Sequence, residues 1–421
     1  MSQEKFLIKK ESIPEFIDHI KKFKELSSFY DEDDKSSLYY KYYVDGEYFY
    51  VYDSNKFKIT SNCGNYNCSF NKKTGETIKF GATLEEDPVM CKLGPEIMDL
   101  EISVNGCPKV GGHNCKFCYK NNSDAPATNM SFDTFKKIVD SFPKSLNQIA
   151  FGITGVQTNP DFPKMLNYCR NFLGIIPNYT LSGADLTDDL IEVTKDTCGA
   201  VAVSCYEGNK ELCYNTIDRF AKLAPHVHVN MHIVLSKGTL KHVMDVLNDL
   251  KHTKTIETMV KAGKVQFKLN RKVPEDPRLR NLRHIVFLRI KPVGRASKMD
   301  TTIPLDVFEQ VMKFCNDNGI GYGFDSCTAP DVERVLRKWG KDDQCQSCES
   351  CESGRFSAYC NVAGQYWHCS FAERDPRIFP IDLTKYESAI TWWNSKELND
   401  MRQKLNLRNE MDCPLFKLTA D

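Results

Sequence analysis

The chain has 421 residues, enough for two or three domains that each bury a core. Its 56 basic and 56 acidic residues cancel, so no global field directs it to nucleic acid, and no apolar run approaches membrane-spanning length. Met1-Ser2-Gln3-Glu4-Lys5 lacks a signal-peptide pattern, so a cytoplasmic location is expected, and in that reducing compartment eighteen cysteines argue for metal and against disulfides.

In chain order, Phe16, Ile17, Ile20, Phe23 and Leu26 recur at helical spacing after Pro14, predicting one amphipathic helix over 13–29. The stretch 42–52 reads as two aromatic strands about an Asp45-Gly46 turn, and 56–60 and 77–80 add strands. These make a small α+β domain over 1–95. Its tyrosines are expected to pack against the next domain, and Cys63 and Cys68 to be free thiols in an Asn-rich loop.

From residue 97 strands and helices alternate. Strands are predicted over 97–104, 148–155, 178–183, 200–205, 226–235 and 285–291, and helices over 131–139, 160–172, 187–197, 211–223, 239–250 and 305–316. Ser131 is the expected N-cap of the first of these helices. Such alternation marks a parallel sheet of the α/β class, and six units fit a partial (β/α)6 TIM-like barrel over 96–326, followed by a Cys-rich extension over 327–421. Cys169, Cys198, Cys205, Cys213 and Cys315 fall in apolar stretches and read as core residues.

Three thiols crowd the loop that leaves the first of these strands, which reads Cys107-Pro-Lys-Val-Gly-Gly-His-Asn-Cys115-Lys-Phe-Cys118. A structural zinc site takes four ligands, whereas an iron–sulfur cube held by three thiolates keeps one iron open for a non-protein ligand. The spacing Cys-x7-Cys-x2-Cys, with Phe117 before the last Cys, resembles the cluster loop of radical S-adenosylmethionine (radical SAM) enzymes, with a first interval four residues longer than their common Cys-x3-Cys-x2-Cys. Gly111-Gly112 would let the extra residues fold back.

The resemblance implies a [4Fe-4S] cluster on Cys107, Cys115 and Cys118 that reduces S-adenosylmethionine (SAM) to a 5′-deoxyadenosyl radical, with electrons from a donor such as flavodoxin or ferredoxin. It implies that the second strand end, Gly152 to Gln157, holds the amino group of SAM. The family's Glu is absent here, which leaves a backbone carbonyl with Thr154 or Gln157. It also implies that Ser182 and Ser204 contact the ribose or carboxylate, and that Phe117 packs near adenine. The bland readings are a glycine turn, turn-capping serines and a core Phe.

Arg289 and Lys291 alternate with Leu288 and Ile290 on a strand that otherwise reads as wholly buried. Unpaired buried charges are costly, so both should meet an anion, a SAM carboxylate or an anionic substrate group. The surrounding stretch 261–298 is strongly basic, which reads as a solvated loop or as a site for an anionic substrate. Asp325 is either a turn cap or an acid/base near the substrate.

The tail, with Gly364 preceding Cys369 by five positions and a later Cys413, resembles the SPASM and twitch tails of radical SAM enzymes. That resemblance implies an auxiliary [4Fe-4S] cluster on Cys327, Cys351, Cys369 and Cys413, with Cys345 or Cys348 as rivals to Cys327. SPASM-type relatives mostly modify peptides or proteins, so a peptide is the leading substrate. A nucleotide or small anionic metabolite is the alternative, and a zinc-stabilised binding protein without turnover is the reading from a different class.

Overall fold

The computed structural model describes residues 5–109, 115–262, 265–349, 351–373, 375, 377–404, 413–416 and 418. The Gly111-Gly112 turn of the thiol loop lies outside them. Among the described residues no helix is long and apolar enough to cross a membrane.

The N-terminal region is an antiparallel meander of six strands in chain order, Lys5–Ile8, Leu38–Val44, Glu47–Asp53, Phe57–Ser61, Asn67–Asn71 and Thr77–Phe80. The Asp45-Gly46 hairpin is present, with Val44 opposite Glu47. The expected single helix over 13–29 is broken into Pro14–Lys22 and Lys24–Ser27, because Phe23 takes an extended backbone and sets its ring 5.1 Å from that of Phe80. Cys68 is not in a loop: it sits buried in the fifth strand.

The tyrosines do pack inward. Tyr40, Tyr42 and Tyr66 share a core with Phe356 and Ile390 of the C-terminal region. The buried Lys58 donates its ammonium to the Leu146 carbonyl at 2.8 Å, which also ties this sheet to the next domain.

The second sheet is parallel through eight strands. Ile97–Glu101, Gln148–Gly152, Ile176–Leu181, Ala200–Cys205, His228–Leu235 and Ile285–Arg289 lie side by side in chain order, each paired parallel with the next. A seventh, Tyr322–Phe324, pairs beyond the sixth. An eighth, Ser357–Cys360 from the Cys-rich extension, pairs parallel with Ile97–Glu101 on the other flank and turns into an antiparallel hairpin with Gln365–Trp367. The sheet therefore exceeds the six expected strands at both edges.

The intervening helices are Phe132–Asp140, Phe162–Asn167 continued by a wider turn to Leu173, Asp188–Thr197, Lys210–Leu223, Leu240–Asp249 and Leu305–Asn318. Ser131 caps the first as expected, accepting from the Thr134 N–H at 3.2 Å. Strands in chain order with right-handed crossovers put every helix on one face. Met98, Leu100, Ile149, Phe151, Tyr179, Val201, Val203, Val229, Met231, Ile233, Ile285 and Phe287 point to that face and are buried in one core. The alternate residues, Asp99, Ala150, Asn178, Thr180, Ala202, Asn230, His232 and Val286, point to the helix-free face.

Lys254–Ala262 and Val265–Val273 pair as an antiparallel ribbon, so part of the basic stretch is strand and not loop.

Candidate functional site

The C-terminal edge of the parallel sheet gathers the chemistry. Just past the first strand, Ser103–Val104 pairs with Thr128–Asn129, and the chain then turns through Asn105 and Gly106, both with φ near +60°. Gly106 has no alternative there: a Cβ would come within 2.9 Å of the Ala127 side chain as well. Cys107 follows, its N–H donating to Ser123 O at 2.9 Å, so the entry to the thiol loop is hydrogen-bonded across to its exit.

Cys107, Cys115 and Cys118 are near enough to feel one another's charge. Burial, reinforced by the neighbouring Cys118 thiolate, raises the Cys107 thiol. Burial also lifts Cys115 to about 11. Thiolates this close repel, so ionising Cys107 and Cys115 together calls for positive charge beside them, part of which Arg295 supplies.

Arg295 fastens the loop. Its Nε donates to Cys115 O at 2.7 Å, its guanidinium Nη1 to Asn122 O at 2.9 Å, and its backbone N–H to Cys118 O at 3.0 Å. The preceding Gly294 has φ +61°, and a Cβ there would stand 2.3 Å from Tyr119 O. Thus one residue of the basic stretch serves as a clamp on three loop carbonyls, a role that no local pattern announces.

Of the residues expected to hold SAM, Thr154 has its hydroxyl committed to Asn105 O at 2.5 Å, while its N–H donates to Ser103 Oγ at 3.0 Å. Gln157 gives its N–H to Asp185 Oδ2 at 2.9 Å and its side-chain amide to Thr187 at 3.4 Å. Ser182 Oγ accepts from the Ala184 N–H in a turn at 3.4 Å. Gly152 is solvent-reachable, with the Glu101 backbone 3.3 Å from where a Cβ would sit. Phe117 lies 5.6 Å from the ring of Tyr206, which hydrogen-bonds near the buried Ser204 and feels the charge of all three thiols.

Tyr206 and Asp185 were not foreseen. Tyr206 had a usable signal, an aromatic directly after the fourth strand. Asp185 Oδ2 would stand 2.6 Å from a Cβ on Gly155, and its Oδ1 is buried without a hydrogen-bond partner among the described residues.

The two expected cations find anions, and the anions belong to the protein. Arg289 points to the helix face, where its guanidinium pairs with Asp331 and neither side chain exposes any surface. Its other terminal nitrogen donates to Leu418 O. Lys291 pairs with Asp325 and lies 4.6 Å over the ring of Phe371. Asp325 also accepts from the Arg289 backbone N–H at 3.1 Å and makes no side-chain cap to the turn that follows, so it is an ion-paired residue of this edge and not a turn cap. Neither cation is left free to greet a SAM carboxylate or an anionic substrate.

In the tail, the charges of Cys327, Cys351 and Cys413 all act on Cys369, and burial drives that thiol well above its usual range. Burial also lifts Cys327 to about 12. Cys345 and Cys348 lie apart from this group, beside the helix Ala329–Lys338, with Cys345 Sγ 3.9 Å from Glu333 O. Among the described residues, no three His, Cys, Asp or Glu side chains converge tightly enough to share a single metal ion.

Between the two thiol groups stand Tyr119 and Phe371, rings 4.5 Å apart. Tyr119 adjoins Cys118, and Phe371 gives its N–H to Cys369 Sγ at 3.4 Å. Beside them Lys120 binds Glu101 at 3.1 Å, Tyr359 OH at 2.8 Å, and Glu373.

No family model and no curated protein sequence matches the chain. Among solved structures it is similar to a hexahistidine-tagged anSMEcpe with bound AdoMet, at TM-score 0.50 and 14% identity over 75% of this chain and 81% of that one. It is similar as well to native anSMEcpe with bound AdoMet and the Cp18Cys peptide, again at TM-score 0.50 and 14% identity, over 75% and 84%. The chain shares its fold with these AdoMet-bound proteins. AdoMet is the same molecule as SAM, the ligand that the thiol loop had suggested.

Proposed function

We propose that the protein is a radical SAM enzyme that modifies a peptide or protein, with a SAM-binding [4Fe-4S] cluster on Cys107, Cys115 and Cys118 and an auxiliary one on Cys327, Cys351, Cys369 and Cys413. The observation that carries the reading is the three-thiol loop at the C-terminal edge of the first parallel strand, in a fold shared with AdoMet-bound proteins. The donor set suits the group: three thiolates leave a fourth iron open, and in a cube each thiolate meets a different iron and not one shared point. When bound, this cofactor pair supplies the 5′-deoxyadenosyl radical that abstracts hydrogen from the substrate.

The chain's own residues bind, orient and exclude water. Arg295 holds the loop by its carbonyls, and Tyr206 with Phe117 screens the thiols on the side of the fourth strand. The sheet's helix-free face, curved as in a partial (β/α)6 barrel, would line the chamber. The amino group of SAM, which has no Glu here, is taken by Asp185, whose free Oδ1 lies beside the Gly152 to Gln157 loop. Asp325, held by Lys291, is positioned to accept or return a proton. A peptide substrate is supported by the similar protein that holds one. The electron donor would be a flavodoxin or ferredoxin.

Anaerobic reconstitution followed by iron and sulfide analysis tests the reading. About eight of each per chain is expected if both sites hold cubes. About four would remove the auxiliary cluster, and zinc alone would overturn the whole proposal. A narrower test addresses Asp185. Asp185→Asn should weaken SAM binding roughly ten- to a hundredfold, the loss of one charge-assisted hydrogen bond of about 1.5–3 kcal/mol. Unchanged affinity in equilibrium dialysis would return the amino group to the loop backbone.

A further inference from the structure

Asp99 lies mid-strand on the first parallel strand, pointing to the helix-free face in register with Ala150 and, on the other side, Tyr359. Solvent reaches it, yet protein surrounds it, and burial alone lifts its carboxyl to about 6. Among the described residues no donor hydrogen-bonds to it and no cation is near enough to act on it. A carboxylate hemmed in by protein, reached by solvent and answered by no side chain, is open to a cationic group of a ligand.

The same face repeats the pattern. Asn230, on the fifth strand, buries its amide oxygen without a partner, as Asp325 does one of its carboxylate oxygens at the sheet's edge. His232, also facing inward, is held neutral, its imidazole pushed down to about 4 by burial. The two ammonium groups at hand are already committed, Lys120 to Glu101 and Glu373, and Lys291 to Asp325. Among the described residues, Asp99, Glu101, Asp325 and Glu373 thus meet two ammonium groups, and the buried atoms left without a partner on this face and its edge, Asn230 Oδ1 and Asp325 Oδ1, are hydrogen-bond acceptors. Asp99 stands two residues, about 7 Å, below the strand end at Glu101, within the reach of an extended lysine or arginine side chain entering from the edge.

We infer that the helix-free face takes a substrate group that is cationic and rich in N–H donors, an ammonium or guanidinium on an extended side chain, anchored by Asp99 with Asn230. The inference rests on this face being the substrate chamber, and it reverses the sign expected from the basic stretch, whose Arg289, Lys291 and Arg295 are spent on the protein's own anions or on loop carbonyls.

The test is a binding measurement on the anaerobically reconstituted protein by isothermal titration, independent of SAM cleavage. The probes are N-acetyl-arginine amide, N-acetyl-lysine amide, n-butylguanidinium, N-acetyl-norleucine amide and N-acetyl-glutamate amide. The cationic probes should bind at least tenfold more tightly than the neutral and acidic ones. If the N-acetyl amides surpass n-butylguanidinium, the group belongs to a polypeptide, and if they match it, to a free amine. Asp99→Asn should weaken the cationic probes at least tenfold with an unchanged or higher melting temperature, since a merely structural carboxylate would lower it. Asp99→Glu should retain binding, and Asn230→Ala should lose several-fold.

Equal affinity for all probes, wild-type affinity in Asp99→Asn, or displacement of the probes by SAM would overturn the inference. The last outcome would assign these acceptors to the sulfonium and ammonium of SAM. Cationic binding without any SAM cleavage would overturn the catalytic reading and leave this one standing.

Discussion

Arg289→Met should destabilise the fold by about 3–5 kcal/mol, the cost of removing one member of a buried ion pair. Arg289 and Asp331 are both wholly shielded, the guanidinium lies 5.7 Å from the Phe308 ring centroid, and the exposed Arg334 stands 3.6 Å from Asp331. Met keeps the volume, so packing is nearly conserved and the charge alone is removed. Adding Asp331→Leu should recover most of the loss, because no uncompensated charge then stays inside. Urea unfolding of the first transition measures both. A single-variant loss under about 1 kcal/mol would mean that the pair is solvated and behaves as a surface salt bridge. The effect on SAM affinity should be small, since the side chain points away from the thiol loop.

Cys118→Ala should have the opposite profile: no detectable 5′-deoxyadenosine in the presence of dithionite, with stability within about 0.5 kcal/mol of wild type. Cys118 lies outside the hydrophobic core, and what the loop needs from it structurally is its carbonyl, which accepts from the Arg295 N–H and survives the substitution. The thiolate has no substitute, because a cube with two protein ligands is not retained. Cys369→Ala should instead spare SAM cleavage and stop substrate turnover, since that thiol belongs to the other group. Wild-type 5′-deoxyadenosine from Cys118→Ala would remove the loop from the SAM-activating role.

The parallel sheet was readable because each of its six central strands alternates with an amphipathic helix, and local period carries that information. The thiol loop was readable for a similar reason, being contiguous. In the tail, the charges of Cys327, Cys351 and Cys413 all act on Cys369. What eluded the sequence was long-range pairing. Nothing in Ser357–Cys360 says that it will lie beside Ile97–Glu101, and nothing near Arg295 names three loop carbonyls as its partners. For Arg289 and Lys291 the physical demand, an anion for each, was right. Its source was not, because an aspartate on a later helix or loop satisfies a cation as well as a ligand does and leaves no local trace.

The strand Ser357–Cys360 bears on the order of events at the ribosome. Ile97–Glu101 is synthesised more than two hundred residues before the strand that covers one of its flanks, which stays unpaired until Ser357–Cys360 has emerged. Until then the nascent sheet presents an open backbone edge bordering the thiol loop. Such an edge invites pairing with other chains, and so long a wait between partners slows folding. Maturation of the first thiol site and completion of the tail are thereby coupled in time, and a chain stopped before residue 357 would be released with that edge uncovered.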